Sequence, residues 1–155
     1  MLYISYQGIY DGNDYQDANT PKQINKKKMS VREKGFKTIF SDIDGTLIEQ
    51  VDFNDLNPNI VNVLPGVKEK MTEWMNAGHY IVLTTARPEE LREITKQQML
   101  TAGILYHQLV MGIGRDERIL INNNSKGTPE VPRALAVDVA RDAGFDSERF
   151  AKVGL

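Results

Sequence analysis

FKTIFSDIDGTLIE, residues 36–49, decides how the chain is read. Thr38, Ile39 and Phe40 form a β-rich run that leads directly into two acids two residues apart, Asp42 and Asp44, and then into Gly45, Thr46 and two apolar residues. Side chains on a strand repeat every two residues, so both acids can leave its end toward the same side, where two anions repel unless a cation compensates them. Gly45 permits a tight bend that a side chain would obstruct. An Asp-Gly turn alone is ordinary. An apolar strand carrying two acids into a Gly-Thr turn instead marks a strand that ends at a site.

The whole chain bounds what that site can be. Its 155 residues suffice for one well-packed domain and are too few for two. Hydrophobic residues at 41% and charged residues at 26% are ordinary for a globular protein, and a net charge of −2 gives no general attraction to nucleic acid. The absence of cysteine excludes disulfides, thiolate metal sites and cysteine nucleophiles, and it is compatible with a cytoplasmic location. There is no apolar run of membrane-spanning length and no basic-then-apolar start, so neither an anchor nor a signal peptide is expected.

Residues 1–35 read as an extension outside a domain covering 36–155. Residues 1–10 could pair as a short strand. The run 22–37 is basic but lacks interleaved aromatics, and it reads as a solvated linker. The acidic DGNDYQD does not carry the oxygen spacing of a calcium loop. The opening ISYQGIYDG and ANTP bear a faint resemblance to glycerophosphodiesterase-like barrels, but Tyr6, Gln7 and Ala18 stand where the His, Arg and Glu of that pattern would be, and no chemistry is assigned to it.

Downstream of the acid pair, residues 51–66 are rich in Asn, Asp and Pro and predict an irregular excursion too short to be a cap domain. A helix follows over 67–79, with Val67, Met71, Trp74 and Met75 on one face and Gly78 as its stop. YIVLTT (80–85) is an apolar run that ends in hydroxyls and predicts a strand buried on both faces. Pro88, Glu89 and Glu90 suit the first turn of a second helix reaching 102–103. The spacing then predicts a third strand over 104–111, a polar turn, a fourth strand over 119–121 ending in Asn122, Asn123, Asn124, Ser125 and Lys126, and a last helix over 130–143 stopped by Gly144. Helices alternating with apolar strands predict an α/β fold with a doubly wound, three-layer parallel sheet. In such sheets the site lies beyond the carboxyl ends of the strands. That edge gathers Asp42 and Asp44, then Thr84, Thr85 and Arg87, then the Asn run with Lys126.

Carboxylate and amide oxygens suit magnesium, hydroxyls suit phosphoryl oxygens, and a cation balances the charge that develops in phosphoryl transfer. His79 and His107 each have a structural role available, and Ser41 and Ser125 lack a matching histidine, so no hydrolytic triad competes.

DIDGTL resembles the first motif of the haloacid dehalogenase (HAD) superfamily and TTAR its second, over about residues 36–145; the likeness is greatest to small capless members found beside polysaccharide-synthesis genes. The resemblance implies a Rossmann-like phosphatase without a large cap. It implies Asp42 as the nucleophile that forms an aspartyl-phosphate and Asp44 as the acid and then the base. It further implies Mg2+ held by Asp42, by the Asp44 carbonyl and by a group at the fourth strand end. Thr85, or alternatively Thr84, would bind a phosphoryl oxygen with the support of Arg87. The family commonly has an acid after the fourth strand; here Asn122 and Asn123 stand there, so Asn123 is the expected metal ligand. Lys126 is the expected catalytic cation, with Lys96 and Arg118 as alternatives. The implied substrate is a small phosphorylated metabolite such as a sugar phosphate, and a capless site implies a homo-oligomer whose neighbouring subunit covers it. The rival readings are a catalytically weak HAD-like domain that binds phosphate or a partner, and a phosphatase of nucleic-acid ends supported only by the basic run.

Overall fold

The structure is a computed structural model that describes residues 35–127 and 132–155. Residues 1–34 of the extension expected over 1–35, its short strand, most of the basic run and the first residues of the expected last helix lie outside the described residues.

Three parallel strands form the sheet, in the order β1 (Thr38–Asp42), β2 (Tyr80–Thr84) and β3 (Gln108–Val110). Register is fixed along its length: Thr38 lies opposite Tyr80, and the ladder ends with Asp42 opposite Thr84 and Thr84 opposite Val110. The acid pair and the threonines therefore leave the sheet at the same level. Within β2, Ile81, Val82 and Leu83 are all buried, as expected of a strand covered on both faces. On β1, Ile39 and Ser41 are buried while Phe40 remains 58% exposed.

Helix α1 (Val67–Asn76) follows Gly66, whose φ of 72° only glycine adopts without strain, and it buries Val67, Met71 and Trp74 at helical spacing. Trp74 meets the rings of Phe145 and Phe150 at 5.6 and 5.1 Å. The second ring comes from a short helix α3 (Ser147–Ala151) begun by Asp146, whose side chain accepts from the Glu148 N–H. Helix α2 (Arg92–Ala102) begins later than the sequence predicts. Pro88 holds an extended conformation (φ −65°, ψ 158°), a 3-10 turn covers Glu89–Leu91, and Ala86 and Arg87 are left to form the connection from β2. The excursion 51–66 is irregular as expected, with one 3-10 turn at Phe53–Asp55. An antiparallel bridge from Ile48 to Val63 closes it against the core.

Three expectations are corrected. The third strand is shorter than 104–111, because Ile104 caps α2 and His107 spends its Nδ1 on the Ile81 N–H at 3.0 Å. No fourth strand forms over 119–121, where Ile119 and Ile121 are 85% and 92% exposed. Strand preference reflects packing against neighbours rather than an intrinsic backbone state, and three apolar residues without a partner do not supply it. Over the described part of 130–143 there is no helix. Pro132 interrupts it, and half-buried Val137 and Val139 alternate with exposed neighbours, a period of two rather than 3.6.

Both histidines are structural. His79 Nδ1 accepts from the Lys37 N–H at 3.3 Å, and His107 stacks on Tyr80 at 4.4 Å.

Candidate active site

At the carboxyl end of β1 the chain turns sharply. The Ile43 carbonyl accepts from the N–H groups of Thr46, Leu47 and Ile48 at 3.3, 2.9 and 3.2 Å, and the Gly45 N–H returns to the Ile48 carbonyl at 2.8 Å. Gly45 sits at φ 75°, and a Cβ there would meet the Arg141 side chain at 3.0 Å. Asp42 and Asp44 flank the buried Ile43, which locks the turn into the core.

Asp44 is held from the β2–α2 connection. Arg87 donates to it in a fork, Nη2 to Oδ1 at 2.7 Å and Nε to Oδ2 at 2.9 Å, and the Thr85 hydroxyl donates to Oδ2 at 3.3 Å. The Arg87 side chain is wholly buried and that of Asp44 only 11% exposed. Two planar groups joined by parallel charge-assisted bonds have one stable orientation. The remaining Arg87 nitrogen, Nη1, donates to Gln98 Oε1 at 2.6 Å and to Thr95 Oγ1 at 3.1 Å, both on the buried face of α2. Gln98 in turn donates to the Asn57 carbonyl at 2.9 Å, tying the excursion to the same network. Thr85 also accepts from the Arg87 N–H at 3.1 Å, so its hydroxyl bridges the backbone turn and the carboxylate.

Asp42 is more open, with its side chain 29% exposed. Arg118 Nη1 lies 3.0 Å from Oδ1, and the Thr46 hydroxyl donates to Oδ2 at 3.4 Å. Burial pushes the Asp42 carboxyl above the usual carboxylate range, and the nearby Asp44 charge adds to this; the Arg118 guanidinium opposes the rise without cancelling it. Thr84, beside Asp42 in the ladder, donates to the Ser41 carbonyl at 3.3 Å and is partly exposed, whereas Thr85 is fully buried.

The structure thus brings Asp42, Asp44, Thr84, Thr85 and Arg87 to one edge of the sheet. Asn123 and Lys126 are not carried there by a strand. Asn123 is exposed, and its Oδ1 meets Arg133 Nη1 at 3.5 Å; Lys126 is likewise exposed. Each acid has its own arginine, Arg87 on Asp44 and Arg118 on Asp42. Sequence reasoning did not find Thr95 and Gln98, although two polar residues three apart on the inward face of α2 were the available signal. Arg118 was legible only as one of three alternative cations.

As to a metal, the Asp42 carboxylate, partly open to solvent, is a hard oxygen donor of the kind a divalent ion takes, while the Asn123 carboxamide is not brought beside it. Among the described residues, no three His, Asp or Glu side chains gather around one point. No described helix is long and apolar enough to cross a membrane.

No family model and no curated protein matches the chain. Among solved structures, a Pnkp1/Rnl/Hen1 complex aligns at TM-score 0.44 and 22% identity, over 56% of this chain and 32% of that one. A crystal structure from Vibrio cholerae aligns at 0.43 and 19% identity, over 56% and 80% of the two chains. The D,D-heptose 1.7-bisphosphate phosphatase from B. bronchiseptica, complexed with magnesium and phosphate, aligns at 0.40 and 20% identity, over 53% and 52%. The chain spans about a third of the first and half of the last. At these scores the likenesses add nothing to the geometry of the site.

Proposed function

We propose that the chain is a phosphomonoester hydrolase of the capless HAD type, with a doubly wound three-layer sheet, acting through Asp42 on a small phosphorylated metabolite. One observation carries this reading: the register that sets Asp42 level with Thr84 while Arg87 and Thr85 clamp Asp44 two residues on. One acid is open to an incoming group and the other is fixed in direction, a division of labour that nucleophilic catalysis with a separate acid and base requires.

In this reading an Asp42 oxygen attacks phosphorus, the bond from phosphorus to the leaving oxygen breaks, and the leaving oxygen takes a proton that Asp44 has gained from solvent, which requires one of its oxygens to be released from the Arg87 fork. Water then attacks the aspartyl-phosphate, Asp44 recovers a proton from it, and inorganic phosphate leaves with Asp42 restored. Thr84 has the exposure to meet a phosphoryl oxygen. Thr85 and Arg87 act on the substrate indirectly, by orienting Asp44. Arg118, rather than Lys126, is the cation beside the reacting carboxylate. Asp42 and the Asp44 carbonyl would hold Mg2+, which would supply charge neutralisation at the phosphoryl oxygens when bound; Asn123, exposed and bonded to Arg133, is not counted among its ligands.

A second reading is favoured by the two arginines themselves. A domain whose acids are both compensated from within fits a binding or weakly active role equally well in charge. Phosphate release from an aryl phosphate, with and without Mg2+, separates the two. The enzyme reading expects metal-dependent release that Asp42→Asn abolishes; release no greater than that of Asp42→Asn sinks it.

A further inference from the structure

The carboxylate on which the proposed chemistry turns is already held by a cation of the chain itself. Arg118 takes one Asp42 oxygen at 3.0 Å and Thr46 the other at 3.4 Å. The two arginines of the site differ in kind. Arg87 is wholly buried, whereas the Arg118 side chain is 42% exposed and reaches Asp42 from the solvent side.

The stretch that carries Arg118 is built to deliver it without fixing it in a regular element. It leaves β3 through Gly112, at φ 69° with open space around it. Two backbone bonds pin its start over the site: the Gly112 N–H donates to the Arg87 carbonyl at 2.8 Å and the Ile113 N–H to the Thr85 carbonyl at 3.2 Å. Arg115 then lies 4.8 Å from the centre of the Phe53 ring, and no helix or strand forms between 111 and 127. Only the Arg118 side chain joins this stretch to Asp42 among the described contacts.

We infer that Arg118 is a tethered competitor for the divalent-cation position at Asp42, so that loading a metal requires its guanidinium to swing off the carboxylate. The inference rests on the metal-dependent reading above. A divalent ion on the carboxylate that Arg118 already touches places like charges a few ångströms apart, which lowers metal affinity as long as the guanidinium stays. Partly exposed ion pairs are weak, so this one can give way where the buried Arg87 pair cannot. Once displaced, the guanidinium is available to an anionic group that binds beside the metal. Metal and anionic ligand then strengthen each other's binding, because each favours the same released position of Arg118.

The test is Mn2+ binding to the full chain by isothermal titration calorimetry, without substrate, for the wild type, Arg118→Gln and Asp42→Asn. Arg118→Gln is expected to bind Mn2+ about tenfold tighter than wild type, the size of effect one adjacent charge exerts on an ionisable site. Asp42→Asn is expected to bind more weakly than either, and Arg118→Lys, which keeps the charge, to stay near wild type. Circular dichroism melts accompany each variant, and Arg118→Met, which keeps the apolar stem, substitutes for Arg118→Gln if that variant melts early. Unchanged or weaker Mn2+ binding on loss of the guanidinium overturns the inference, as does a failure of both forms to bind. The two levels separate cleanly. Metal-dependent phosphate release by the wild type with no gain in Arg118→Gln affinity removes the competitor and keeps the phosphatase. Tighter binding in Arg118→Gln with no phosphate release does the reverse.

Discussion

Replacing Arg87 with methionine tests the network that orients Asp44. The substitution keeps much of the stem and removes the guanidinium, so it leaves the Asp44 carboxylate at 11% exposure with only the Thr85 hydroxyl, and strips Gln98 Oε1 and Thr95 Oγ1 of their donor. Removing one partner of a buried pair costs about 3–5 kcal/mol, most of it the uncompensated charge left behind. Domains are stable by only about 5–15 kcal/mol, so the variant loses a large share of its stability. At about 3 °C per kcal/mol the melting midpoint falls by roughly 10 °C. The assay is urea unfolding followed by the fluorescence of Trp74, the one tryptophan of the chain, which sits in the aromatic core beside Phe145 and Phe150. Adding Asp44→Asn to Arg87→Met removes the stranded charge, so the double variant recovers about 2 kcal/mol or more relative to the sum of the single losses. A loss below about 1 kcal/mol for Arg87→Met, or strictly additive losses in the double variant, refutes the reasoning.

Three other outcomes follow from the same geometry. Attack requires ionised Asp42, so kcat/KM falls as pH drops through a pKa that burial has raised; because Arg118 pulls that pKa down, Arg118→Gln shifts the acid limb to higher pH, and a limb that stays or moves down refutes the assignment. A carboxyl whose folded pKa is raised favours folding when protonated, and stability is lost as pH rises through that pKa. Asp42→Asn is therefore more stable than wild type at neutral pH, with the difference closing in acid, as paired thermal melts would show. Gly144→Ala drives a Cβ to 2.3 Å from the Pro65 carbonyl oxygen at φ +77°, whereas at Gly112, φ +69°, a Cβ meets nothing within 4 Å. The first is expected to cost at least about 3 kcal/mol and the second only the left-handed conformational cost of about 1 kcal/mol, a ranking that denaturant midpoints check.

The first two strands, α1, most of α2, and the Asp42–Asp44 turn were legible because their signals are local. Period-two burial in TIFSD, the apolar run YIVLT and the Val67, Met71, Trp74 stripe each depend on neighbours within a few residues. The excursion 51–66 was legible from its Asn, Asp and Pro content for the same reason. Ile119 to Ile121 misled because their strand signal was local while the partner it needs is not. Amphipathic content over 130–143 predicts a helix, but Pro132 interrupts it, and Val137 and Val139 reach the core at alternate positions.

At the site the same boundary holds. Residue types alone placed Asp42, Asp44, Thr84, Thr85 and Arg87 at strand ends, and parallel register then sets them on one edge. Which arginine meets which acid is different in nature, since Arg87 and Asp44 are separated by 43 positions and Arg118 arrives from beyond β3. An ion pair depends on where two side chains are delivered and how far they are removed from water. Periodicity, turn chemistry and residue type are written in the sequence by itself. The buried fork on Asp44 and the exposed guanidinium on Asp42 were decided only when the tertiary structure fixed the distances.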